Sequence, residues 1–260
     1  MIAEARQVRI EAYLQKVEFA ALDELAREVG VSVSTVRRDV AQLEATGSVS
    51  RTHGGARLLQ SKSDEYAFAV RSQRETTEKG AIGRACAELV LPHQTVILDA
   101  GSTVYHVAQQ LEGKSLQIIT NSLPVVNLFA SAPQCEVVVA GGVIYPRLGV
   151  LVGPQAVETF SKAHADVAIM SASGLTAEGI YNSHGLLIDI QQAMLRAARR
   201  VIFCLDHTKF DRRSMFFLCE VGRISTIVTD AAAPAELVGA LRGRGVEVIM
   251  AAAPVVAPTA

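Results

Sequence analysis

Between residues 95 and 251 the chain repeats one alternation, a short apolar run rich in β-branched residues followed by a stretch with helical spacing. The runs are TVILDA (95–100), LQIIT (116–120), CEVVVAGG (135–142), DVAIM (166–170), RVIFCLD (200–206), ISTIVTD (224–230) and GVEVIM (245–250). Strands this uniformly apolar have no face suited to water, so both faces must be covered. The helical stretches between them supply the cover and the long crossovers that parallel neighbours need. These are TVYHVAQQL (103–111), SLPVVNLFA (122–130), PQAVETFSK (154–162), LIDIQQAMLRAARR (187–200) and PAELVGALR (234–242), preceded by AIGRACAELV (81–90). The pattern predicts a mostly parallel, Rossmann-like α/β sheet.

The first sixty residues have another texture. Ile10, Tyr13, Leu14 and Val17 share one face of a predicted helix over 4–17, and Leu22, Leu25, Ala26 and Val29 repeat that spacing before Gly30. Ser32 suits an N-cap for a third helix that runs to about Ala45 and ends at Gly47. Two short helices across a tight glycine-containing turn form a helix-turn-helix pattern. SVSRTHGGARLL then reads as a short hairpin with Gly54-Gly55 at its turn.

On the third helix Val33, Val36, Val40 and Leu43 fill the buried face, while Ser34, Thr35, Arg38 and Gln42 point the other way with Arg37 at the flank. Short polar side chains and arginines at that end suit base edges and phosphates in a major groove. The candidate DNA-binding residues are Ser32, Ser34, Thr35, Arg37, Arg38, and Arg51 and His53 on the hairpin, which also carries Arg57. From Val31 to Gln60, Arg37, Arg38, Arg51 and Arg57 outnumber Asp39 and Glu44, whereas the whole chain has a net charge of -1. Any nucleic-acid surface is therefore a local patch. The competing reading of two adjacent arginines is a solvated face with contacts such as Arg38–Gln42 or Arg37–Asp23.

ILDAGSTVYHVAQQL reads as strand, tight turn and helix. Gly101 is expected to permit the sharp turn, and Ser102 and Thr103 to offer hydroxyl and N–H groups at the helix N-terminus, a cradle for a phosphate dianion. The alternative is a purely structural turn with Ser102 as the cap. Other polar loops fall at strand ends, namely Thr120-Asn121-Ser122, Gly141-Gly142 and Asp206-His207-Thr208-Lys209. In a parallel sheet such ends converge on one crevice. Lys209 is the expected cation against phosphate, Asp99 and Asp206 the acceptors for sugar hydroxyls, and the glycines the points of close backbone approach. Arg147 is either a second cation or a surface residue. His106 reads as packed on its helix, and His164, His184 and His207 lack metal-ligand spacing, so neither a metal nor a cofactor is expected.

Half of the residues are hydrophobic and a fifth charged, ample for a globular core. No run approaches 18 uninterrupted apolar residues and MIAEARQVRI holds no apolar signal core, which predicts a cytoplasmic protein without membrane contact. Cys86, Cys135, Cys204 and Cys219 are widely spaced in or beside apolar runs, as free buried thiols would be.

The stretch ELAREVGVSVSTVRRDVAQLEATGSVSRTHGGA, with its VRRD core and trailing RTHGGA, closely resembles the DeoR family of bacterial transcription regulators. The resemblance continues through EYAFAVRSQRETTEKGAIGRACAEL, LDAGSTV, TNSLPVV, AGGVIYPRLGVLVG and LDHTKF, and so covers almost the whole chain. It implies a winged helix-turn-helix (1–57), a linker expected to be helical (58–78), a sensor domain with the ribose-5-phosphate isomerase-like fold (79–252) and a tail (253–260). It further implies a homo-oligomeric repressor of a sugar-catabolism operon that binds double-stranded operator DNA and answers to a phosphorylated sugar. Two departures stand out. Ala21 precedes the second helix where the family more often has a serine cap, and Gln191 stands where the family commonly has a lysine. An amide cannot supply the cation that isomerase chemistry at that position needs, which weighs against the other reading, a sugar-phosphate isomerase bearing a DNA-binding head.

Overall fold

A computed structural model describes residues 3–17, 19–46, 48–52, 54–58 and 67–252. The chain divides into two compact units, Met1–Ala67 and Phe68–Ala260.

The first unit holds helices α1 (Ala3–Val17), α2 (Leu22–Val29) and α3 (Val33–Ala45), with strands β1 (Phe19–Ala21), β2 (Val49–Thr52) and β3 (Gly55–Leu58). Gly30 ends α2 in the left-handed region at φ 72°, where its N–H reaches the Ala26 carbonyl. Ser32 caps α3 by accepting from the Thr35 N–H at 3.3 Å. Ile10, Leu14, Leu25, Val29, Val36, Val40 and Leu43 form one core, with Val33 only partly buried at its edge. β2 and β3 are the expected hairpin. β1 adds a third, antiparallel strand on β3 that three residues are too few to announce by alternation. It also accounts for the missing cap on α2. Ala21 offers no side-chain acceptor, but the Leu22 N–H donates to the Gly54 carbonyl at 3.1 Å, so the hairpin satisfies one of the free N–H groups at the helix start.

The aspartate of VRRD has a structural role. Asp39 is buried and accepts from Arg6 on α1 through two contacts, Nε at 2.5 Å and a guanidinium nitrogen at 2.8 Å. Gln42 hydrogen-bonds Gln7 at 2.9 Å, so it faces α1 instead of joining Arg38 on the outer face. Together these contacts set how α3 sits on α1.

The second unit opens with α4 (Phe68–Ser72) and α5 (Thr76–Ala87). The helix expected over 58–78 is interrupted within its described part, because Glu75 lies at φ 49° between α4 and α5; residues 59–66 lie outside the described residues. Then follow β4 (Thr95–Leu98), α6 (Ser102–Leu111), β5 (Leu116–Thr120), α7 (Leu123–Phe129), β6 (Cys135–Val139), β7 (Val143–Tyr145), β8 (Val150–Val152) and α8 (Pro154–Ser161). The chain continues through β9 (Ala165–Met170), β10 (Gly174–Leu175), β11 (Gly179–Asn182), α9 (Gly185–Ala197) and β12 (Ala198–Cys204). It closes with β13 (Phe216–Glu220), β14 (Thr226–Asp230), α10 (Ala235–Gly243) and β15 (Glu247–Ala251).

All seven expected strands pair in one sheet, in the order β15-β14-β12-β9-β4-β5-β6, and every pairing is parallel. α5, α6 and α7 bury one face over Val96, Leu98, Ile118, Val167, Ile169, Ile202 and Val228. α9 packs on β9 and β12, with α8 against it. The helix expected over 187–200 stops at Ala197, because Ala198–Arg200 already pair with β9 as the start of β12. Two small antiparallel sheets, β7-β8 and β10-β11-β13, were not anticipated, since their strands are short or interrupted by polar residues. The cysteines are free, with Cys86, Cys204 and Cys219 buried and Cys135 half-buried. Among the described residues no helix is long and apolar enough to cross a membrane.

Replacing Asp39 by Asn removes the negative charge from the half-buried Arg6–Asp39 contact. Calorimetry on the full chain should then show the first unit melting on the order of 5–10 °C lower. An unchanged transition would mean that the pair does not hold α3 on α1.

Candidate functional site

The order of the parallel sheet marks where a crevice is expected. From β4 the chain steps outward through β5 to β6, then returns to the other side of β4 at β9 and steps away through β12, β14 and β15. The loops after β4 and β9 therefore leave in opposite directions, and ligands of open α/β sheets collect at that divergence, beyond the strand ends. Here it is bounded by Asp99–Gly101 and Ser171–Ser173.

Asp99 is buried, and its carboxylate accepts from the Ser171 N–H at 3.1 Å and from Gln191 Nε2 at 2.9 Å. Burial pushes its pKa up, against the opposing pull of these hydrogen bonds and of Arg71. Gln191 also donates to the Ser171 carbonyl at 3.3 Å and accepts from Asn182 Nδ2 at 2.8 Å, so its amide ties α9 to the loops at the divergence. Asn182 in turn accepts from the Ser183 N–H and the Ser173 hydroxyl. A neutral side chain does this where a lysine was the family expectation.

Gly101 is a glycine for a different reason from the one expected. Its φ of -74° is open to any residue, so the turn does not require it. A Cβ there would lie 1.6 Å from Ser171 Oγ, so what excludes a side chain is the close approach of the β9 loop. Ser102 and Thr103 are buried inside the first turn of α6, and Ser102 is not its cap. The first intrahelical bond runs from the Tyr105 N–H to the Gly101 carbonyl, leaving the N–H groups of Ser102, Thr103 and Val104 ahead of it.

The remaining expected effector residues divide by what their polar atoms already do. The Thr120 hydroxyl donates to the Leu98 carbonyl at 2.7 Å and accepts from the Ser122 N–H at 3.0 Å, and Ser122 caps α7. Both shape the loop. Asn121 donates to the Leu151 carbonyl at 3.0 Å, but its Oδ1 is buried without a hydrogen-bond partner. Asp206 is fully buried; Oδ1 accepts from the Thr208 N–H and hydroxyl, while Oδ2 has no hydrogen bond and stands 3.6 Å from Lys209 Nζ. Gly141 and Gly142 are exposed, and a Cβ on Gly142 would lie 2.3 Å from the Val152 carbonyl oxygen, which makes Gly142 a requirement of the β7-β8 hairpin. Arg147 is half-buried, its carbonyl accepts from the Phe68 N–H at 3.0 Å, and its Nε is buried without a hydrogen bond.

Three further cationic or titratable groups surround these residues and had no motif to announce them. Lys79 on α5 is buried, and burial lowers its pKa to about 8 although Asp206 opposes the shift. Arg71 on α4 is likewise lowered by burial, with Asp99 acting against it. His184, the N-cap of α9, is lowered by burial first and then by Arg147 and Arg71. Lys79, Arg71, Lys209 and Arg147 thus stand within electrostatic reach of groups at the strand ends, where Asp99 and Asp206 are the carboxylates. His106 is half-buried against Tyr105, as expected, and burial lowers its pKa too.

On α3 of the first unit, Ser32, Ser34 and Thr35 link hydroxyls at 2.9 Å, and Arg37 and Arg38 are exposed. Neither arginine makes an ion pair among the described residues; Arg38 reaches only the Ser34 carbonyl, at 3.5 Å. Both local acids are engaged elsewhere, Asp39 by Arg6 and Glu44 by Arg51 at 2.5 Å. The hydrogen bond from the Arg51 N–H and the contact with its guanidinium hold the Glu44 carboxyl below its usual range. His53 lies outside the described residues.

Gly101→Ala should cost about 1–3 kcal/mol of stability, because Ser171 must move to admit the methyl group. Adding Ser171→Gly removes both atoms in conflict and should restore most of the loss in a thermal melt. A single variant that melts like the native chain would disprove the close approach.

Comparison with known proteins places both units. The DeoR-like helix-turn-helix domain family matches residues 6–62, and the DeoR C terminal sensor domain family matches residues 74–231. The chain is 32% identical over 231 residues to the HTH-type transcriptional repressor CsqR of Escherichia coli K12, covering 88% of each. It is 33% identical over 227 residues to the HTH-type transcriptional regulator GolR of Listeria innocua, covering 86% of this chain and 89% of that one. Among solved structures, ribose 5-phosphate isomerase A of Neisseria gonorrhoeae aligns over 52% of this chain and 53% of its own, with a TM-score of 0.37 and 16% identity. The winged helix-turn-helix, the parallel α/β unit behind it and these family matches make the chain a member of the DeoR family of DNA-binding transcriptional regulators.

Proposed function

We propose that this regulator is a cytoplasmic, homo-oligomeric repressor of a sugar-catabolism operon whose hold on operator DNA is modulated by a phosphorylated sugar. The observation that carries the reading is the chemistry of the crevice between β4 and β9. Phosphate needs backbone N–H groups at a helix N-terminus with cations beside them, and sugar hydroxyls need carboxylate and amide oxygens. The first turn of α6 and Lys209 supply the former; Asp206 Oδ2 and Asn121 Oδ1, both buried without hydrogen-bond partners, supply the latter. Asp99, Gly101, Ser102 and Thr103 form the wall, Thr120 and Ser122 fix the loop beside it, and Arg147 adds a cation. Gly141 and Gly142 serve the neighbouring hairpin.

In the head, the open arginines of α3 are the groups suited to DNA. Ser34, Thr35 and Arg38 would meet base edges and Arg37 the phosphates, with Ser32 setting the helix start. Arg51 reaches phosphate by leaving Glu44, and His53 extends the wing. A head of this kind reads a half-site, which is why a homo-oligomer belongs to the proposal. The domain assignment is a head over 1–57, a connection over 58–78 and a sensor over 79–252, with 253–260 as a tail.

Catalysis is not part of the proposal. An isomerase needs a mobile base and an electrophilic cation about the carbonyl. Asp99 is held by Ser171 and Gln191, and Gln191 itself is a satisfied neutral amide.

Two experiments test this. Against a panel of pentose and hexose phosphates, one compound should raise the melting temperature, by an amount corresponding to about 2.7 kcal/mol at a hundredfold excess over its Kd. Lys209→Met should erase the shift, and no sugar phosphate should be turned over; a panel without any shift contradicts the sensor reading. On DNA recovered by in vitro selection, Arg38→Ala should weaken binding by about 1–3 kcal/mol and Arg37→Ala should flatten the salt dependence. Unaltered affinity and salt slope in both variants would remove α3 from the interface.

A further inference from the structure

Lys79 stands between two structures. Its ammonium donates to the Arg71 carbonyl at 2.6 Å and to the Arg74 carbonyl at 2.5 Å, and so caps the C-terminal end of α4. It is also buried within electrostatic reach of Asp206 and Lys209, the loop assigned to phosphate above. An ammonium has three donors, and the carbonyls engage two of them.

α4 depends on contacts from outside itself. Five residues are far too few for a helix to persist on its own. Its outside contacts include the Phe68 N–H on the Arg147 carbonyl, the Phe68 ring edge-on to Tyr105 at 5.6 Å, a hydrogen bond from His106 to the Ser72 backbone, and Arg71 within electrostatic reach of Asp99. The interior bonds near its end are long, Gln73 N–H to Val70 and Arg74 N–H to Arg71 both at 3.3 Å. α4 is also the first helix of the second unit, and so the part of that unit nearest in sequence to the first.

We propose that Lys79 is a clamp whose release is the sensor's first response to its ligand: a phosphate in the crevice draws the ammonium off the Arg71 and Arg74 carbonyls and so loosens α4. A phosphate dianion is a stronger acceptor for an ammonium than two neutral carbonyls. The lysine stem carries the compact charge through the small swing required. Asp206, whose Oδ2 makes no hydrogen bond, already acts electrostatically on that ammonium. The inference rests on the reading of the crevice as a phosphate site and adds the residue that reports occupancy.

Hydrogen exchange on the full chain, read by mass spectrometry over residues 68–78, tests it with inorganic phosphate as the probe against chloride at equal ionic strength. Binding is followed separately by the width of the phosphorus-31 resonance. In the native chain, phosphate should speed exchange at Gln73 and Arg74 about tenfold. Lys79→Met should exchange fast without phosphate and gain nothing from it, while Lys79→Arg, which keeps the charge and the donors, should retain a response. Circular dichroism confirms that both variants fold. Phosphate that broadens the resonance yet leaves exchange over 68–78 unchanged overturns the clamp and leaves the crevice reading standing. Should Lys79→Met not fold, the Lys79→Arg response decides, and its loss with binding retained counts against the clamp. Phosphate that fails to bind the native chain overturns both.

Discussion

One buried carboxylate organises the second unit. Asp99 terminates the first strand of the sheet at the point where the strand order reverses, and it joins the β4 loop to the β9 loop through the Ser171 N–H and to α9 through Gln191. A carboxyl that deep is tolerated because it is hydrogen-bonded and has Arg71 within electrostatic reach, and the bonds that satisfy it come from different elements. The crevice walls are thereby fixed relative to one another. Gly101 follows from the same closeness, since the β9 loop leaves no room for a Cβ.

The head obeys a parallel logic with opposite result. Its local acids are committed to internal partners, Asp39 holding α1 through Arg6 and Glu44 holding Arg51. What remains on the outer side of α3 is the exposed pair Arg37 and Arg38. A chain with a net charge of -1 thus presents a local positive patch on α3 without being basic, because pairing inside the fold decides which charges face outward.

Much of this was legible from residue order alone. The apolar runs became the parallel sheet because each must be covered on both faces, and the valine face of α3 became core because helical periodicity leaves it no alternative. The Asp99-to-Thr103 turn was visible for the same reason, a strand ending where a helix starts. Other features were hidden by tertiary override. Nothing local distinguishes a buried Asp39 from a solvated one, since its partner lies far along the chain on α1. Lys79 and Arg71 read as ordinary charges of a connecting segment, and only the way α4 and α5 fold brings them to the strand ends. Thr120 and Ser122 also use their hydroxyls within the fold, which residue order cannot show because hydroxyls suited to a cap or a sheet edge are the same hydroxyls suited to a sugar. The small antiparallel sheets escaped because β7, β8 and β10 have two or three residues, too few to carry a period, and β11 and β13 are broken off by polar residues.

The proposed regulation requires that anion and DNA compete or cooperate through the protein, which makes their coupling the central quantity. Fluorescence anisotropy of a labelled, selected DNA duplex measures it directly, titrated with the chain in the presence and absence of the sugar phosphate that stabilises it. DNA affinity should change about 5- to 150-fold when the sugar phosphate saturates, and the affinity for that compound should change by the same factor when DNA is bound. Identical DNA affinity with the compound demonstrably bound would contradict the claim that the crevice governs the head.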